Sequence, residues 1–452
     1  MHAGGRDGSA IRETRLREML AEHVAPEALD QFIQAVRDRG GLIEERGEFF
    51  QFLHLTFQEF LAARLLAKQR RAGWPCLLSR LTDPWWREVI LLTYGFARAD
   101  YAPGAKDYLD WLSTVPEGAG RLAGRELAGA ALLELEQPDA AQRETQAARL
   151  AEAVTRPPAS APPILRVRAG DVLAKLGDPR PEITTLAGMR FCYVPPGRFW
   201  MGSEQGSGDE TPAGWYEGLD YGYWMAQYPL TVAQWREYVE TSGHQPRDRD
   251  SLRGGANHPV VQVTWYEARE LAEWLTGRAQ QAGWLPADWA VRLPSEAEWE
   301  KAARGGEQVP QAPQVQALQA GFARRPEVVL AANPAPRRAY PWGDEWVGAK
   351  ANTSEAELGG TSPAGIFPEG ISPYGCLEMA GNVFEWTRSV YKDYPYRARD
   401  GREEVESSDR LVLRGGAFNY LQWFARCACR GYDFSPNLHY RLNGFRVVVS
   451  RA

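Results

Sequence analysis

Three capping boxes constrain the second half of this 452-residue chain more than any other feature. In each, an N-cap hydroxyl accepts from the N3 amide and a Glu or Gln at N3 reaches back to the N-cap amide. Thr231-x-x-Gln234 predicts a helix that stops near Gly243. Thr264-x-x-Glu267 follows a strand expected over 260–263 and puts Ala268, Leu271, Ala272 and Leu275 on one face, with Gly277 beyond. Ser295-x-x-Glu298 predicts a helix with Ala297, Trp299, Ala302 and Ala303 inside and Gly305-Gly306 as its stop. Around these helices the sequence is rich in Gly and Trp, and most of the 17 tryptophans lie beyond residue 190. Long periodic segments are few. That describes irregular loop packed around a few regular elements, an unusual make-up for an ordinary enzyme domain. A strand is expected over 191–194, a Gly-rich acidic loop up to about 217, and an exposed insertion over 307–338, where Gln, Ala and Pro dominate.

The first half reads differently. Residues 11–24, 26–37, 49–70, 84–96, 121–135, 140–154 and 164–176 each carry apolar residues at three- and four-residue spacing, which predicts helices. The Pro-rich stretch 157–163 is a linker-like break. The chain is therefore expected to hold an all-α helical domain over 1–178 and a second domain over 181–452, giving an α+β protein.

Composition excludes several classes of function. A net charge of −6 and a pI near 5.7 argue against a general nucleic-acid partner. Residues 1–15 contain no apolar signal region and no run is long enough to span a bilayer, so a cytoplasmic protein without a membrane partner is expected. Five scattered cysteines fit reduced thiols better than a disulfide framework, and Cys427 with Cys429 are two thiols short of a zinc site. The chain has no G-x-x-x-x-G-K-[ST], G-x-S-x-G or H-E-x-x-H motif.

The last forty residues are framed by Leu413-Arg414-Gly415-Gly416 and Asn443-Gly444-Phe445-Arg446. Between these frames the sequence follows neither a helical nor a strand period. It mixes aromatics with Asn, Asp, Ser and His, the composition of a binding surface. The aromatics are either the core of an irregular region or such a surface.

Several phrases occur in order: Arg198-Phe199-Trp200-Met201-Gly202-Ser203, Pro259-Val260-Val261-Gln262-Val263-Thr264-Trp265, Arg292-Leu293-Pro294-Ser295-Glu296-Ala297-Glu298-Trp299-Glu300, Tyr340-Pro341-Trp342-Gly343, Gly381-Asn382-Val383-Phe384-Glu385-Trp386, and Arg414-Gly415-Gly416 with Gly444-Phe445-Arg446. Together they resemble the formylglycine-generating enzyme (sulfatase-modifying factor) family. The resemblance implies a C-type lectin fold over 181–452. It would also imply cysteine oxidation by a reactive cysteine pair with copper, but Tyr420 and Ala425 stand at the two cysteine positions, so no catalysis and no cofactor is expected. A related branch uses histidine-held iron, for which the isolated His244, His258 and His439 offer no pair. Asn352 and the loop 372–375 occupy places comparable to the family's calcium ligands.

Phe52-Leu53-His54-Leu55-Thr56-Phe57-Gln58-Glu59-Phe60-Leu61-Ala62-Ala63 resembles the helical segment that follows the ATPase core of NACHT-type NTPases, and Asp83-Pro84-Trp85-Trp86-Arg87-Glu88 its continuation. That implies a docking region for signalling partners. The C-terminal segment 414–446 also resembles the variable proteins of diversity-generating retroelements, in which adenines of Asn codons are mutated. Tyr420, Leu421, Phe424, Gly431, Tyr432, Asp433, Phe434, Ser435, Asn437, Leu438, His439, Tyr440 and Leu442 are all reachable from such codons. Gln422 and Trp423 are not, and are expected to be constant, with Trp386 and Trp423 packed beneath the patch. Arg426, Arg430, Pro436 and Arg441 read as framework punctuation. The resemblance implies a diversified surface for a protein ligand. A static adaptor with one fixed partner is the alternative.

Overall fold

The computed structural model describes residues 10–21, 24–39, 41–116, 118–323, 326–404 and 410–451, with backbone alone for Arg39, Tyr432, Asp433 and Phe434. The chain divides into two compact units, Met1–Arg149 and Leu150–Ala452.

In the first unit, β1 (Ala10–Arg12) precedes α1 (Glu13–Ala21) and α2 (Pro26–Arg39). Then β2 (Ile43–Arg46) and β3 (Phe49–Phe52) form a hairpin, and β1 joins them in the order β1-β3-β2. The expected helices over 11–24 and 49–70 are thus each a strand followed by a helix, and the all-α expectation is corrected by this small sheet. Phe49-Phe50-Gln51-Phe52 favours a strand because aromatic side chains suit a pleated surface, and Gly47, at φ +63, makes the turn. Phe50 is fully buried in one cluster with Leu29 and Ile33. The rest is helical: α3 (Leu55–Gln69), α4 (Arg87–Asp100), α5 (Ala102–Ser113), α6 (Ala119–Leu133) and α7 (Ala140–Thr155), which crosses the division. The sequence reading missed α5. Its first turn contains Pro103, which is tolerated there because that N–H has no helical partner, and it buries Ala105, Tyr108, Leu109 and Leu112. The buried Glu126 is gripped by both terminal nitrogens of Arg87 at 2.7 Å.

The second unit opens with α8 (Pro163–Leu176) and α9 (Pro181–Thr184), then β4 (Arg190–Val194), β5 (Phe199–Met201), β6 (Gly214–Tyr216) and β7 (Tyr223–Ala226). Next come α10 (Val232–Ser242), α11 (Trp265–Gln281), β8 (Trp289–Arg292) and α12 (Glu296–Arg304). Short strands complete it: β9 (Gln308–Pro310), β10 (Val315–Ala317), β11 (Leu330–Ala332), β12 (Phe384–Val390), β13 (Leu411–Arg414), β14 (Arg430–Phe434), β15 (Asn443–Gly444) and β16 (Val448–Arg451).

Both halves of all three capping boxes form. Gly243 stops α10 in the left-handed region at φ +76. Gly277 does not stop α11, because one helical glycine costs only about 1 kcal/mol and Ala279 is buried beyond it. The strand expected over 260–263 is absent: Gln262 turns the chain at φ +61, leaving a single bridge between Thr231 and Pro259. The expected insertion over 307–338 is built into the fold, since β10 extends the main sheet and Leu318 is fully buried.

The main sheet is antiparallel, in the order β10-β4-β7-β16-β8. The last strand of the chain therefore lies between two much earlier ones. At the β8 edge, the Thr276 hydroxyl of α11 accepts from the Val291 amide at 2.8 Å and lies 3.1 Å from the Val291 carbonyl. A second sheet runs β14-β13-β12-β15, with β12 and β15 parallel.

Between the sheets and α12 the unit buries charge rather than hydrocarbon. Glu296, Glu298 and Glu300 on α12 are all fully buried. Arg430 meets Glu296 at 2.6 Å, Arg388 meets Glu298 at 2.6 Å, and Arg414 reaches Glu300. Arg446 pairs with both oxygens of Glu385 (2.6 and 2.7 Å) and also donates to the carbonyls of Ala226, Gln227, Leu377 and Glu378. Buried ions persist only when their remaining polar atoms are satisfied in this way.

Candidate functional site

The segment between β13 and β15 is pinned from below. Arg414 donates to the carbonyls of Cys427 and Ala428 and so ties the start of the loop to its return. Arg426 makes a two-pronged, buried pair with Glu210 at 2.7 and 2.9 Å. Gly415 passes over Trp299, whose ring leaves only 3.2 Å for an added Cβ. A Cβ on Gly416 would meet the Phe424 carbonyl at 2.9 Å. Both glycines have positive φ, so only glycine fits the crossing without strain.

From this anchored base a short 3-10 turn, Gln422–Ala425, projects. Glu355 accepts from the Gln422 amide at 2.8 Å, and the Tyr420 carbonyl accepts from the Ser354 amide at 3.0 Å. Leu421, Trp423 and Phe424 are 59%, 44% and 36% exposed. Tyr420 is half-buried, edge-on to Phe384 and to Phe424, with ring centroids 5.0 and 5.1 Å away. Leu442 packs on the same core, and its carbonyl accepts from the Phe384 amide. Phe384 thus meets Tyr420 and Leu442, and Tyr420 in turn meets Phe424.

Of the remaining candidates, Asn437, His439 and Tyr440 lie against residues 247–262. The Asn437 side chain accepts from Arg247 at 2.9 Å, the Tyr440 carbonyl accepts from the Gln262 amide, and Tyr440 is exposed. The His439 ring lies 3.2 Å from the Asn437 carbonyl. Ser435 is exposed, Leu438 is half-buried and Gly431 lies in β14 opposite Leu413. The side chains of Tyr432, Asp433 and Phe434 lie outside the described residues. Of the framework residues, Arg430 and Pro436 are buried while Arg441 is exposed.

Trp386 is buried as expected, but Trp423 is not beneath the patch. The 3-10 turn points it outward, and Arg426 stacks on its ring at 3.8 Å. It forms one wall of a cleft of about 500 Å3, with Trp200 as another wall, itself covered by Arg337 at 3.8 Å. Glu204, Asp344 and Glu345 add carboxylates to the lining. Two guanidinium-capped indoles facing one cleft suit a flat, polar-edged group. Sequence reading missed Trp200, Arg337 and Trp423 as site residues.

The redox and metal positions are also clear. Ala425 is fully buried, and burial pushes the thiols of Cys427 and Cys429 up to about 12, leaving them protonated and unreactive near neutrality. His244 packs on Trp235 and Tyr238, while His258 lies between Asp171 and Thr361. Among the described residues no group of three or more His, Cys, Asp or Glu is placed to hold a metal ion. Asn352 spends its amide nitrogen on the Gly360 carbonyl and Asn382, and the Ser372 hydroxyl accepts from the Tyr374 and Cys376 amides. The Asn352 side-chain oxygen is buried without a hydrogen-bond partner among the described residues.

A family model described as the sulfatase-modifying factor enzyme 1-like domain matches residues 178–451. The serine/threonine-protein kinase pkn1 of Chlamydia pneumoniae is 29% identical over 293 residues, which cover 60% of this chain and 38% of that protein. The formylglycine-generating enzyme of Mycobacterium tuberculosis is 34% identical over 179 residues, which cover 38% of this chain and 48% of that one. The chain thus spans less than half the length of either relative. Among solved structures, Treponema denticola variable protein 1 aligns over 58% of this chain and 95% of its own, with 17% identity and a TM-score of 0.41. The second unit has the C-type lectin-like fold that its motifs lead one to expect, preceded by a helical region. No helix among the described residues is long and apolar enough to cross a membrane.

Proposed function

The chain belongs to the family of the sulfatase-modifying factor enzyme 1-like domain, and from that premise we propose that it is a non-catalytic member whose 414–446 segment presents a diversified surface to a protein ligand. The observation that carries this reading is the contrast within the loop: Leu421, Trp423 and Phe424 face outward from a turn anchored by the buried Arg414 and Arg426. Side chains on such a turn can change without disturbing the base, which is the condition for tolerated variation. Tyr420 and Ala425 in place of the two cysteines, and two buried thiols nearby, support the absence of oxidase chemistry. The helical region is proposed as a docking module for signalling partners, in line with its resemblance to the post-ATPase helices of NACHT-type NTPases.

The deciding experiment is to sequence the genomic surroundings of the gene. The reading expects a near-copy of the codons for 414–446, with adenines wherever the two differ, beside a reverse transcriptase. If no copy is present, a static adaptor with one fixed partner is the better account. Cysteine oxidation of a peptide by the copper-loaded protein would overturn the non-catalytic reading independently.

A further inference from the structure

A second cleft shares no residue with the cleft of Trp200 and Trp423. It lies against α11 and the edge strand β8 and has a volume of about 280 Å3. Trp265, Ala272, Val291 and Leu293, all nearly fully buried, give it apolar walls. Its charged lining consists of Arg269, Arg292, Arg388 and one carboxylate, Glu273. Two of these cations are already matched. Arg388 lies between Glu298 at 2.6 Å and Glu403 at 3.2 Å, and Arg269 pairs with Glu273 at 3.1 Å while lying over the Trp265 ring.

Arg292 is different. Its Nη2 donates to the Ser450 hydroxyl and the Arg451 carbonyl, both neutral, and its Nε is buried with no hydrogen-bond partner. Among the described residues it forms no ion pair: Glu298 and Glu403, both engaged by Arg388, attract it only at longer range, and burial together with Arg388 outweighs them and holds its pKa below the usual arginine value. A part-buried guanidinium with no carboxylate hydrogen-bonded to it is an arrangement that a bound anion would relieve. The occupant is not an added strand, because Thr276 already engages both the amide and the carbonyl of Val291. The volume falls just below the about 300–1,000 Å3 of sites for drug-sized ligands, so the occupant is smaller than those.

We propose that this cleft binds a small monoanion with an apolar body, its carboxylate paired with Arg292 and its ring or hydrocarbon chain against Trp265, Ala272 and Leu293. An arginine fork matches the two oxygens of a carboxylate, and the indole face supplies flat apolar contact.

The test is calorimetric titration of the full chain with phenylacetate and with its uncharged isostere phenylacetamide, supported by saturation-transfer NMR. Phenylacetate is expected to bind and the amide to bind at least about tenfold more weakly. Arg292→Met should abolish phenylacetate binding. Glu273→Gln, at an exposed position that leaves the fold intact, should tighten it by removing the only carboxylate in the lining. Equal affinity for acid and amide, an unchanged affinity in Glu273→Gln, or no binding by ligand concentrations of about 10 mM would each overturn the proposal. Should Arg292→Met fail to fold, the acid–amide comparison and Glu273→Gln still decide it.

Discussion

Two parts of the same segment invert the usual rule of burial. Beneath the loop, Arg414, Arg426, Arg430 and Arg446 are almost wholly buried against glutamates. Above it, Leu421, Trp423, Phe424 and Tyr440 stand in solvent. An ordinary domain puts charge outside and hydrocarbon inside. The inversion separates two tasks. Ion pairs with fixed geometry specify the backbone path, whereas exposed apolar side chains specify nothing about the fold and remain free to specify a partner.

The strongest way to break this contrast is to strip one buried partner. Glu385→Gln would leave Arg446 uncompensated among carbonyls and should cost about 3–5 kcal/mol, read from chemical denaturation. A loss below about 1 kcal/mol would mean that the ion pair does not specify the path. A second probe uses pH. Glu378 is buried, and desolvation raises its pKa to about 7 although Gly365 donates to one oxygen. A carboxyl whose pKa is higher in the folded protein binds more protons there. Its contribution is therefore complete below its ordinary value near 4.5 and is lost as pH rises to about 7. Glu378→Gln should consequently gain stability relative to the parent across that window and hold the gain above it, which denaturation midpoints at several pH values would reveal.

On the exposed side, replacing Leu421, Phe424 or Tyr440 with Ser should change stability by no more than about 0.5 kcal/mol each. The same changes should cost about 2 kcal/mol in partner binding where the residue is a hot spot. A marked drop in melting temperature would move the residue from display to framework. The smallest effect concerns the thiols. In the native protein iodoacetamide should label Cys76, the one exposed cysteine, and spare Cys192, Cys376, Cys427 and Cys429 until denaturant is added. Mass spectrometry of the labelled chain checks this.

What could be read from the sequence was local. Each capping box is complete within four residues, and all three were legible as written. The Gly-Gly and Gly-Phe-Arg ends of the loop were recognisable as framework. What could not be read depends on distant partners. Arg426 meets a glutamate 216 positions away and also covers the outward-facing Trp423 ring. The insertion looked detached because its own composition is plain, yet β10 finds its register on β4, more than a hundred residues earlier. Gln262 in the left-handed region defeated a strand that its neighbours favoured.

The position of β16 between β7 and β8 has one more consequence, for how errors are handled. The last four strand residues bring Val448 and Val449 into the core, with Phe445 and Val447 just before them. A premature stop or frameshift anywhere in 415–442 therefore removes more than the binding surface. It opens the middle of the main sheet and leaves β7 and β8 with unpaired edges. Such a product cannot complete its main sheet. A chain that reaches the end with a merely altered surface completes it. The sheet thus makes the completion of the second unit depend on residues that follow the exposed loop.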